Sequence, residues 1–360
     1  MHQFIMNTQK IYLVCSKSLY NNEIFNLHGP HNRDNCLYPY YLFKEKIKEK
    51  GISIDTFDFL NKDSKEDYAL VFFDMPRNMD YYLKNHKNAK KFLIVYESPI
   101  KNADNQKIEN YQYFNKVFTW NTKVVDDSSI DSKNSLQVNS GQAKKIFWVP
   151  YSQKIPKDNY FDLSKKNKLL TAIFGHKLQT NPIELYSERI KAIEWFQENR
   201  SEDFDLYGEG WNEHYFKDKL FHLNRIKFLK KLFKPSFPSY KGAVEGKKET
   251  YQNYKFALCY ENAEYEGYIT EKIFDCFFGS VVPIYLGAQN VADFIPENTF
   301  IDKRRFKTYE ELYNFIKNMP DEEYKKYIEA IKSYLEGEKI YPFSSEYFAN
   351  TISEEISKSL

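Results

Sequence analysis

Residues 254–287 read YKFALCYENAEYEGYITEKIFDCFFGSVVPIYLG, and this stretch decides the fold class. Continuous apolar runs over 254–260 and 281–286 predict two strands that are buried on both faces. A short helix is predicted between them over 271–278, and Gly279 ends it. Strand, helix and strand in this order form a βαβ unit, which predicts an α/β protein with a parallel sheet.

The loop that enters this helix is rich in polar side chains. In parallel sheets, ligands bind at the carboxyl ends of the strands, beside the free N–H groups of the next helix. A lysine there suits a phosphate, and a carboxylate suits ribose hydroxyls. An ordinary exposed loop would also be polar, so the residues alone leave both interpretations open. The candidates are Glu261, Asn262, Tyr268, Glu271 and Lys272.

The alternation of strands and helices extends in both directions from this unit. A chain of 360 residues favours two domains. We predict an N-terminal α/β domain over 1–150, a proline- and lysine-containing linker over 151–168 and a C-terminal α/β domain over 169–335. A helical tail over 336–360 is expected to pack back on the first domain.

Composition excludes several classes of protein. The formal net charge of +2 argues against a nucleic-acid partner, and 42% hydrophobic residues are enough for a sizeable core. No apolar run approaches the length of a membrane-spanning helix, and no signal peptide is visible. The four cysteines form no CxxC pair, so they are expected to be reduced in a cytoplasmic protein.

The stretch over 254–287 resembles the donor-binding signature of the α-1,3/α-1,4-fucosyltransferase family, and flanking residues from 240 to 301 agree. The resemblance implies the GT-B fold, in which two Rossmann-like domains with parallel sheets face each other across a cleft and GDP-fucose binds the C-terminal domain. The matching residues are Tyr254-Lys255-Phe256, Glu261-Asn262, Gly267-Tyr268-Ile269-Thr270-Glu271-Lys272-Ile273 and Val282-Pro283-Ile284-Tyr285-Leu286-Gly287.

Roles for individual donor-site residues follow from the resemblance. Asn262, Tyr268, Glu271 and Lys272 would line the GDP-fucose site, with Lys272 on the pyrophosphate and Glu271 on the ribose hydroxyls. The family also has an arginine in the first helix of this domain that contacts the donor phosphates, and Arg189 is the candidate. From the residues alone, Arg189 could equally be a surface residue that pairs with a neighbouring glutamate.

Residues 92–99 read FLIVYESP and place Glu97 at the carboxyl end of an apolar strand. A carboxylate on such a rigid support can take a proton from an acceptor hydroxyl, although a merely solvated strand-end glutamate has the same pattern. The Glu97-Ser98-Pro99 context resembles the family's proposed general base.

The resemblance therefore implies an inverting glycosyltransferase with Glu97 as its base. It would move L-fucose from GDP-β-L-fucose to a hydroxyl of an N-acetylglucosamine-containing glycan, in α-1,3 or α-1,4 linkage. No cofactor or metal is expected, and Asp203 and Asp205 are interpreted as an exposed strand face rather than a metal site. The alternatives are a transferase of the same fold with another nucleotide sugar, or a non-catalytic module that binds nucleotides or glycans.

The segment 217–234 is basic and amphipathic, with seven lysines and arginines against one aspartate. A helix there could pack its apolar side on the domain, or it could rest weakly on an anionic membrane surface. Membrane contact would suit a lipid-linked acceptor and a cytoplasmic enzyme peripheral to a membrane.

Overall fold

The computed structural model describes residues 9–61, 67–125, 145–156, 161–216, 218–233 and 236–360. The chain divides into two compact units. The first unit comprises the residues up to Ile155 together with Glu266–Thr270 and Glu338–Leu360, and the second comprises Pro156–Tyr265 and Glu271–Gly337. Each unit is built on its own sheet.

Both sheets are parallel throughout, as the continuous apolar strands predict. Six strands in the order β2-β1-β3-β4-β5-β6 form the first sheet, and five in the order β11-β10-β9-β7-β8 form the second. The strands are β1 Lys10–Val14, β2 Ser53–Thr56, β3 Tyr68–Phe73, β4 Lys90–Val95, β5 Lys116–Thr119, β6 Ile146–Trp148, β7 Lys168–Ile173, β8 Phe204–Tyr207, β9 Tyr254–Tyr260, β10 Val282–Leu286 and β11 Ile301–Asp302.

Helices connect the strands in both units, so the α/β class with two parallel-sheet units, as in GT-B proteins, is confirmed. The helix predicted over 271–278 is present with those bounds. The helices are α1 Tyr38–Glu49, α2 Met79–Asn85, α3 Tyr186–Asn199, α4 Lys227–Leu232, α5 Lys247–Tyr251, α6 Glu271–Phe278, α7 Tyr309–Lys317, α8 Asp321–Glu336 and α9 Ser345–Ser357.

The C-terminal helix α9 belongs to the core of the first unit. It packs against α1, and its apolar residues Phe348, Ile352 and Ile356 are fully buried beside Phe43 and Ile47 of α1. The chain therefore completes its first unit with its last helix.

The basic segment has a broken structure. Residues Asp218–Arg225 form 3₁₀ turns and α4 follows, with Ile226 between them, whereas Lys217 and Lys234 lie outside the described residues. Over the part of the chain that the structure describes, no helix has both the length and the apolar character needed to cross a bilayer.

Candidate active site

Several of the predicted donor residues gather where the strand order of the second sheet reverses, between β7 and β9. The chain leaves β9 at Tyr260, continues as Glu261 and Asn262, and returns in α6. Ligands bind α/β sheets at such a switch point, beyond the carboxyl ends of the strands. This edge of the second sheet is therefore the candidate nucleotide site.

Arg189 is buried at this edge, with only 4% of its surface exposed. Its Nη2 donates to the carbonyl oxygen of Tyr260 at 2.6 Å and to Oδ1 of Asn262 at 3.0 Å. The guanidinium also lies over the rings of Phe174 and Tyr186. The alternative of an exposed arginine is wrong, because the side chain reaches inward from α3 to the end of β9.

Asn181 and Pro182 form a sequence signal for a helix start at Pro182, but α3 begins only at Tyr186. The backbone of Leu185 donates to Asn262, and Glu264 donates to Ile183, at 3.0 and 2.8 Å. This short antiparallel bridge keeps the chain extended before Tyr186. The same bridge ties the loop after β9 to the base of α3, so Arg189 and Asn262 are fixed relative to each other.

Lys272 lies between two carboxylates. Its Nζ is 3.1 Å from Glu261 Oε2 and 3.3 Å from Glu271 Oε1. Glu261 is fully buried, and an unpaired carboxylate there would be costly. The pairing role of Glu261 was missed by sequence reasoning, and its position directly after an apolar strand is the signal that could have revealed it.

Neighbouring charges determine the protonation of Lys272 and Glu271 at the start of α6. Burial acts to lower the pKa of Lys272, but Glu261 and Glu271 outweigh it and raise that pKa above its usual range. Burial likewise acts to raise the pKa of Glu271, while Lys272 and Lys247 lower it to about 2. Lys272 and Glu271 are thus charged at neutral pH, and Arg189 adds a second positive charge that acts on Lys272.

A second ion pair supports the same helix. Lys247 Nζ, at the start of α5, lies 2.6 Å from Asp275 Oδ2 in α6. Burial acts to lower the pKa of Lys247, but Asp275 and then Glu271 raise it overall. Lys247 therefore remains a cation paired with Asp275, which lies one helical turn after Glu271.

Tyr268 belongs to the segment assigned to the first unit. Its ring packs on Trp120 with 4.9 Å between ring centroids, and it is buried. The neighbouring Gly267 has φ +77, and a Cβ on it would lie 2.6 Å from the carbonyl oxygen of Trp120. Glycine is therefore required at this turn on two grounds.

Glu97 lies in the first unit, two residues beyond the end of β4. It is half-buried. Its backbone N–H donates to Asp74 Oδ1 at 3.0 Å, and Asn105 Nδ2 donates to its carbonyl oxygen at 3.2 Å. The structure thus places Glu97 on a hydrogen-bonded turn at the carboxyl edge of the first sheet, as the strand pattern predicts.

The two aspartates of β8 and its approach are engaged in separate ion pairs. Asp203 accepts from Tyr313 and Lys317 at 2.8 and 2.6 Å. Asp205 accepts from Lys168 and Tyr254 at 2.8 and 2.6 Å. The expectation of an exposed strand face is wrong, because both carboxylates are mostly buried in ion pairs and hydrogen bonds at the amino-terminal side of the second sheet.

Two units, each built on a parallel sheet with helices between its strands, correspond to the GT-B fold of a class of glycosyltransferases. The fold is similar to that of Anabaena Alr3699/HepE, which was solved in complex with UDP-glucose. The likeness covers 97% of this chain and 99% of that chain, with a TM-score of 0.50 and 10% sequence identity.

Within that class, the chain belongs to glycosyltransferase family 10. The family pattern described as "Glycosyltransferase family 10 (fucosyltransferase) C-term" matches residues 163–347. The match includes Arg189, Asn262, Glu271 and Lys272, the candidate donor residues of the second unit.

Curated relatives share shorter stretches. The chain is 44% identical over 75 residues to the α-(1,3)-fucosyltransferase FucT of Helicobacter pylori, which is 21% of this chain and 16% of the relative. It is 43% identical over 70 residues to an α-(1,4)-fucosyltransferase of Arabidopsis thaliana, which is 19% of this chain and 18% of the relative. The matched stretches therefore span less than a fifth of either relative.

Proposed function

We propose that this protein is an inverting fucosyltransferase that moves L-fucose from GDP-β-L-fucose to a hydroxyl of an N-acetylglucosamine-containing glycan. The observation that carries the proposal is the family match over 163–347, because it coincides with the site built on β9 and α6. The names of the two relatives support fucose as the transferred sugar.

The second unit would bind the donor. The N–H groups at the start of α6, with Lys272 and Arg189, would face the diphosphate. Glu271, which is half-buried and ionised, would accept hydrogen bonds from the ribose hydroxyls. Asn262 and Tyr268 would complete the donor contacts.

The reaction is a single displacement. The acceptor oxygen attacks C1 of fucose, the bond from C1 to the diphosphate oxygen breaks, and the acceptor proton passes to the Glu97 carboxylate. Negative charge develops on the departing GDP, where Lys272 and Arg189 would stabilise it. A positioned base typically contributes roughly 10²–10⁴-fold to the rate. No metal ion is needed in this scheme.

Isomeric disaccharides test the acceptor position. N-Acetyllactosamine leaves O3 of N-acetylglucosamine free, whereas the isomer with galactose on O3 leaves O4 free. We expect GDP release from GDP-fucose with one of these acceptors, in the presence of EDTA, and loss of turnover in Glu97→Gln with GDP-fucose binding retained.

Three results would change the proposal. Turnover that EDTA abolishes would contradict metal-free transfer. Binding of another nucleotide sugar but not GDP-fucose would favour the same fold with a different donor. Donor binding without transfer to any glycan acceptor would favour a non-catalytic binding module.

We also propose that the segment 217–234 contacts an anionic membrane surface, which would suit a lipid-linked acceptor. Five large apolar side chains there are 46–70% exposed, which disfavours the alternative in which the apolar side of the segment packs on the domain. Exposed apolar residues within a basic segment favour anionic lipid surfaces. These side chains are Leu220, Ile226, Phe228, Leu232 and Phe233.

Vesicle flotation tests this contact. We expect the protein to float with vesicles of phosphatidylcholine and phosphatidylserine, and to remain in solution with phosphatidylcholine alone. The double change Phe228→Ser and Leu232→Ser should abolish flotation, whereas Phe59→Ser, at a 51% exposed site in the first unit, should not. Absence of flotation with anionic vesicles would contradict the proposal.

A further inference from the structure

Asp74 lies directly after β3, beside the turn that carries Glu97. Its backbone has φ 62, in the left-handed region that aspartate and asparagine tolerate better than most residues. Its own N–H donates to the carbonyl oxygen of Ile94 in β4 at 2.9 Å. The side chain is thereby directed along the carboxyl ends of two neighbouring strands.

One oxygen of Asp74 accepts three hydrogen bonds. The backbone N–H groups of Tyr96 and Glu97 donate to Oδ1 at 2.7 and 3.0 Å, and Asn105 Nδ2 donates to the same atom at 2.7 Å. Burial raises the pKa of Asp74, and these three hydrogen bonds offset only part of that increase. A partly buried carboxyl group therefore binds the two successive backbone N–H groups of Tyr96 and Glu97.

Asn105 closes the network from the other side. It is fully buried, and its Oδ1 accepts from Met75 N at 2.8 Å while its Nδ2 also donates to the carbonyl oxygen of Glu97 at 3.2 Å. The hydroxyl of the buried Tyr111 donates to the carbonyl oxygen of Asn105 at 2.7 Å. Both backbone polar groups of Glu97 are thus held by side chains that are themselves fixed.

Such an arrangement restricts the backbone from which a reacting carboxylate projects. Displacement of a catalytic group by about 1 Å can reduce a rate by roughly 10²-fold. The side chains that hold this turn come from the ends of β3 and from the residues after β4, and neither belongs to the donor site of the second unit. Their loss should therefore affect turnover more than donor affinity.

From this geometry we infer that Asp74 and Asn105 are positioning residues that hold Glu97 in the orientation required of a general base. The inference rests on the proposed function, because it assigns a task to the neighbours of the proposed base. It adds two residues that lie outside the family match over 163–347.

The test compares Asp74→Ala, Asp74→Asn and Asn105→Ala with the wild type, in turnover of GDP-fucose and in GDP-fucose binding. We expect Asp74→Ala and Asn105→Ala to reduce kcat by roughly 10- to 100-fold, with the donor Kd changed less than about twofold. Asp74→Asn keeps an acceptor oxygen for the same three donors and should restore kcat to within about threefold of wild type.

Asn102→Ala is the matched control. Asn102 Nδ2 donates to the carbonyl oxygen of Met75 at 2.9 Å, so it braces the same region through a different hydrogen bond from those that hold the backbone of Tyr96 and Glu97. Its kcat should stay within about twofold of wild type, because the Glu97 turn is untouched. Thermal unfolding of every variant separates loss of position from loss of fold.

Glu97→Gln separates the two ways in which the account can fail. Retained turnover in Glu97→Gln would refute the role of Glu97 as general base, and with it the positioning role of Asp74 and Asn105. Lost turnover in Glu97→Gln with unchanged kcat in Asp74→Ala would refute the positioning role alone. An equal loss in Asp74→Ala and Asn102→Ala, or a parallel fall of kcat and donor binding, would show a merely structural role.

Discussion

The carboxyl edge of each sheet presents a glutamate, and the two are stabilised in different ways. Glu97 projects from a turn whose backbone is fixed by Asp74 and Asn105. Glu261 is fully buried and faces the ammonium group of Lys272. The first arrangement suits a group that must exchange a proton, and the second suits a fixed charge that holds a cation in place.

Glu261→Gln should destabilise the protein. The amide cannot neutralise the partly buried ammonium group of Lys272, which still has Glu271 at 3.3 Å. We expect the free energy of unfolding to fall by about 3 kcal/mol, which is the lower end of the loss seen when one partner of a buried ion pair is removed. Chemical denaturation at neutral pH measures this change.

Glu266→Gln is the control for that experiment. Glu266 lies on the same loop but pairs with Lys123 at 3.4 Å, and the side chains of Lys123 and Glu266 are 53% and 38% exposed. Its removal should change stability by less than about 1 kcal/mol. Equal losses in the two variants would contradict a special role for the buried pair.

At the scale of elements, the loop from β9 to α6 combines a fixed bridge to α3 with the left-handed turn at Gly267. Gly267→Ala should destabilise this turn, because its φ of +77 is unfavourable for alanine and the added Cβ would lie 2.6 Å from the carbonyl oxygen of Trp120. The left-handed backbone alone costs about 1–2 kcal/mol. We expect a larger total loss of stability and weaker GDP-fucose binding, measured by denaturation and calorimetry.

Gly51→Ala separates the cost of the left-handed backbone from the cost of the steric contact with Trp120. Gly51 has the same φ of +77, and no atom lies within 4 Å of a Cβ placed there. It should lose only the backbone contribution and leave GDP-fucose binding unchanged. If Gly51→Ala and Gly267→Ala are equally destabilised, steric contact with Trp120 is not the cause.

The carboxyl end of α6 predicts a dependence of stability on pH. Lys166 Nζ donates to the carbonyl oxygens of Tyr251 and Gly279, each at 3.0 Å, and burial lowers the pKa of this lysine to about 7. Between about pH 7 and 10.5 the unfolded chain binds more protons at this site than the folded chain. The contribution of Lys166 to stability should therefore rise with pH, by at most about 1.4 kcal/mol per unit.

Lys166→Met makes that contribution measurable. The free energy of unfolding of the wild type minus that of Lys166→Met should increase as the pH rises from 7 to 10. Subtraction removes the titration of the other groups. A difference that stays constant over this range would show that Lys166 keeps an ordinary pKa in the folded protein.

At the scale of the whole molecule, the chain returns to its first unit to complete the core. Ile352 of α9 is fully buried in that core, together with Phe348 and Ile356. Ile352→Ala should lower the free energy of unfolding of this unit by about 3 kcal/mol through the lost apolar contacts and the cavity left behind. Hydrogen exchange of amides in β1 and β3 reports the loss.

Asn350→Ala is the corresponding control on the exposed face of α9. It should leave amide protection in the first sheet nearly unchanged. If both variants weaken protection equally, the effect belongs to the helix itself and not to its packing on the core.

The sequence predicted β4, β9 and β10 from their continuous apolar runs, and with them the class of fold. It did not predict β5, whose four residues begin with a lysine, or β11, which has only two residues. Such short strands are specified by their neighbours in the sheet rather than by their own composition. The start of α3 was misplaced for a similar reason, because a bridge to the loop after β9 overrides the local helix signal at Asn181 and Pro182.

The part of the candidate site that depends on local sequence was predictable. Strand ends and helix starts identify Glu97, Asn262, Glu271 and Lys272 as polar residues at the carboxyl edges. Other features depend on contacts between distant parts of the chain. They are the pairing of Lys272 with Glu261, the burial of the Arg189 side chain against the end of β9, and the hydrogen bond from the Glu97 backbone to Asp74. Residue patterns carry no distance information of that kind.

Proton NMR of the transfer reaction tests the central claim most directly. The protein would be mixed with GDP-β-L-fucose and N-acetyllactosamine or its isomer, and the anomeric proton of fucose would be followed through the reaction. We predict that the β-fucosyl phosphate signal is replaced by that of an α-fucoside on O3 or O4 of N-acetylglucosamine, and that Glu97→Gln blocks this change. A β-linked product, or no transfer of fucose to either acceptor, would contradict the account.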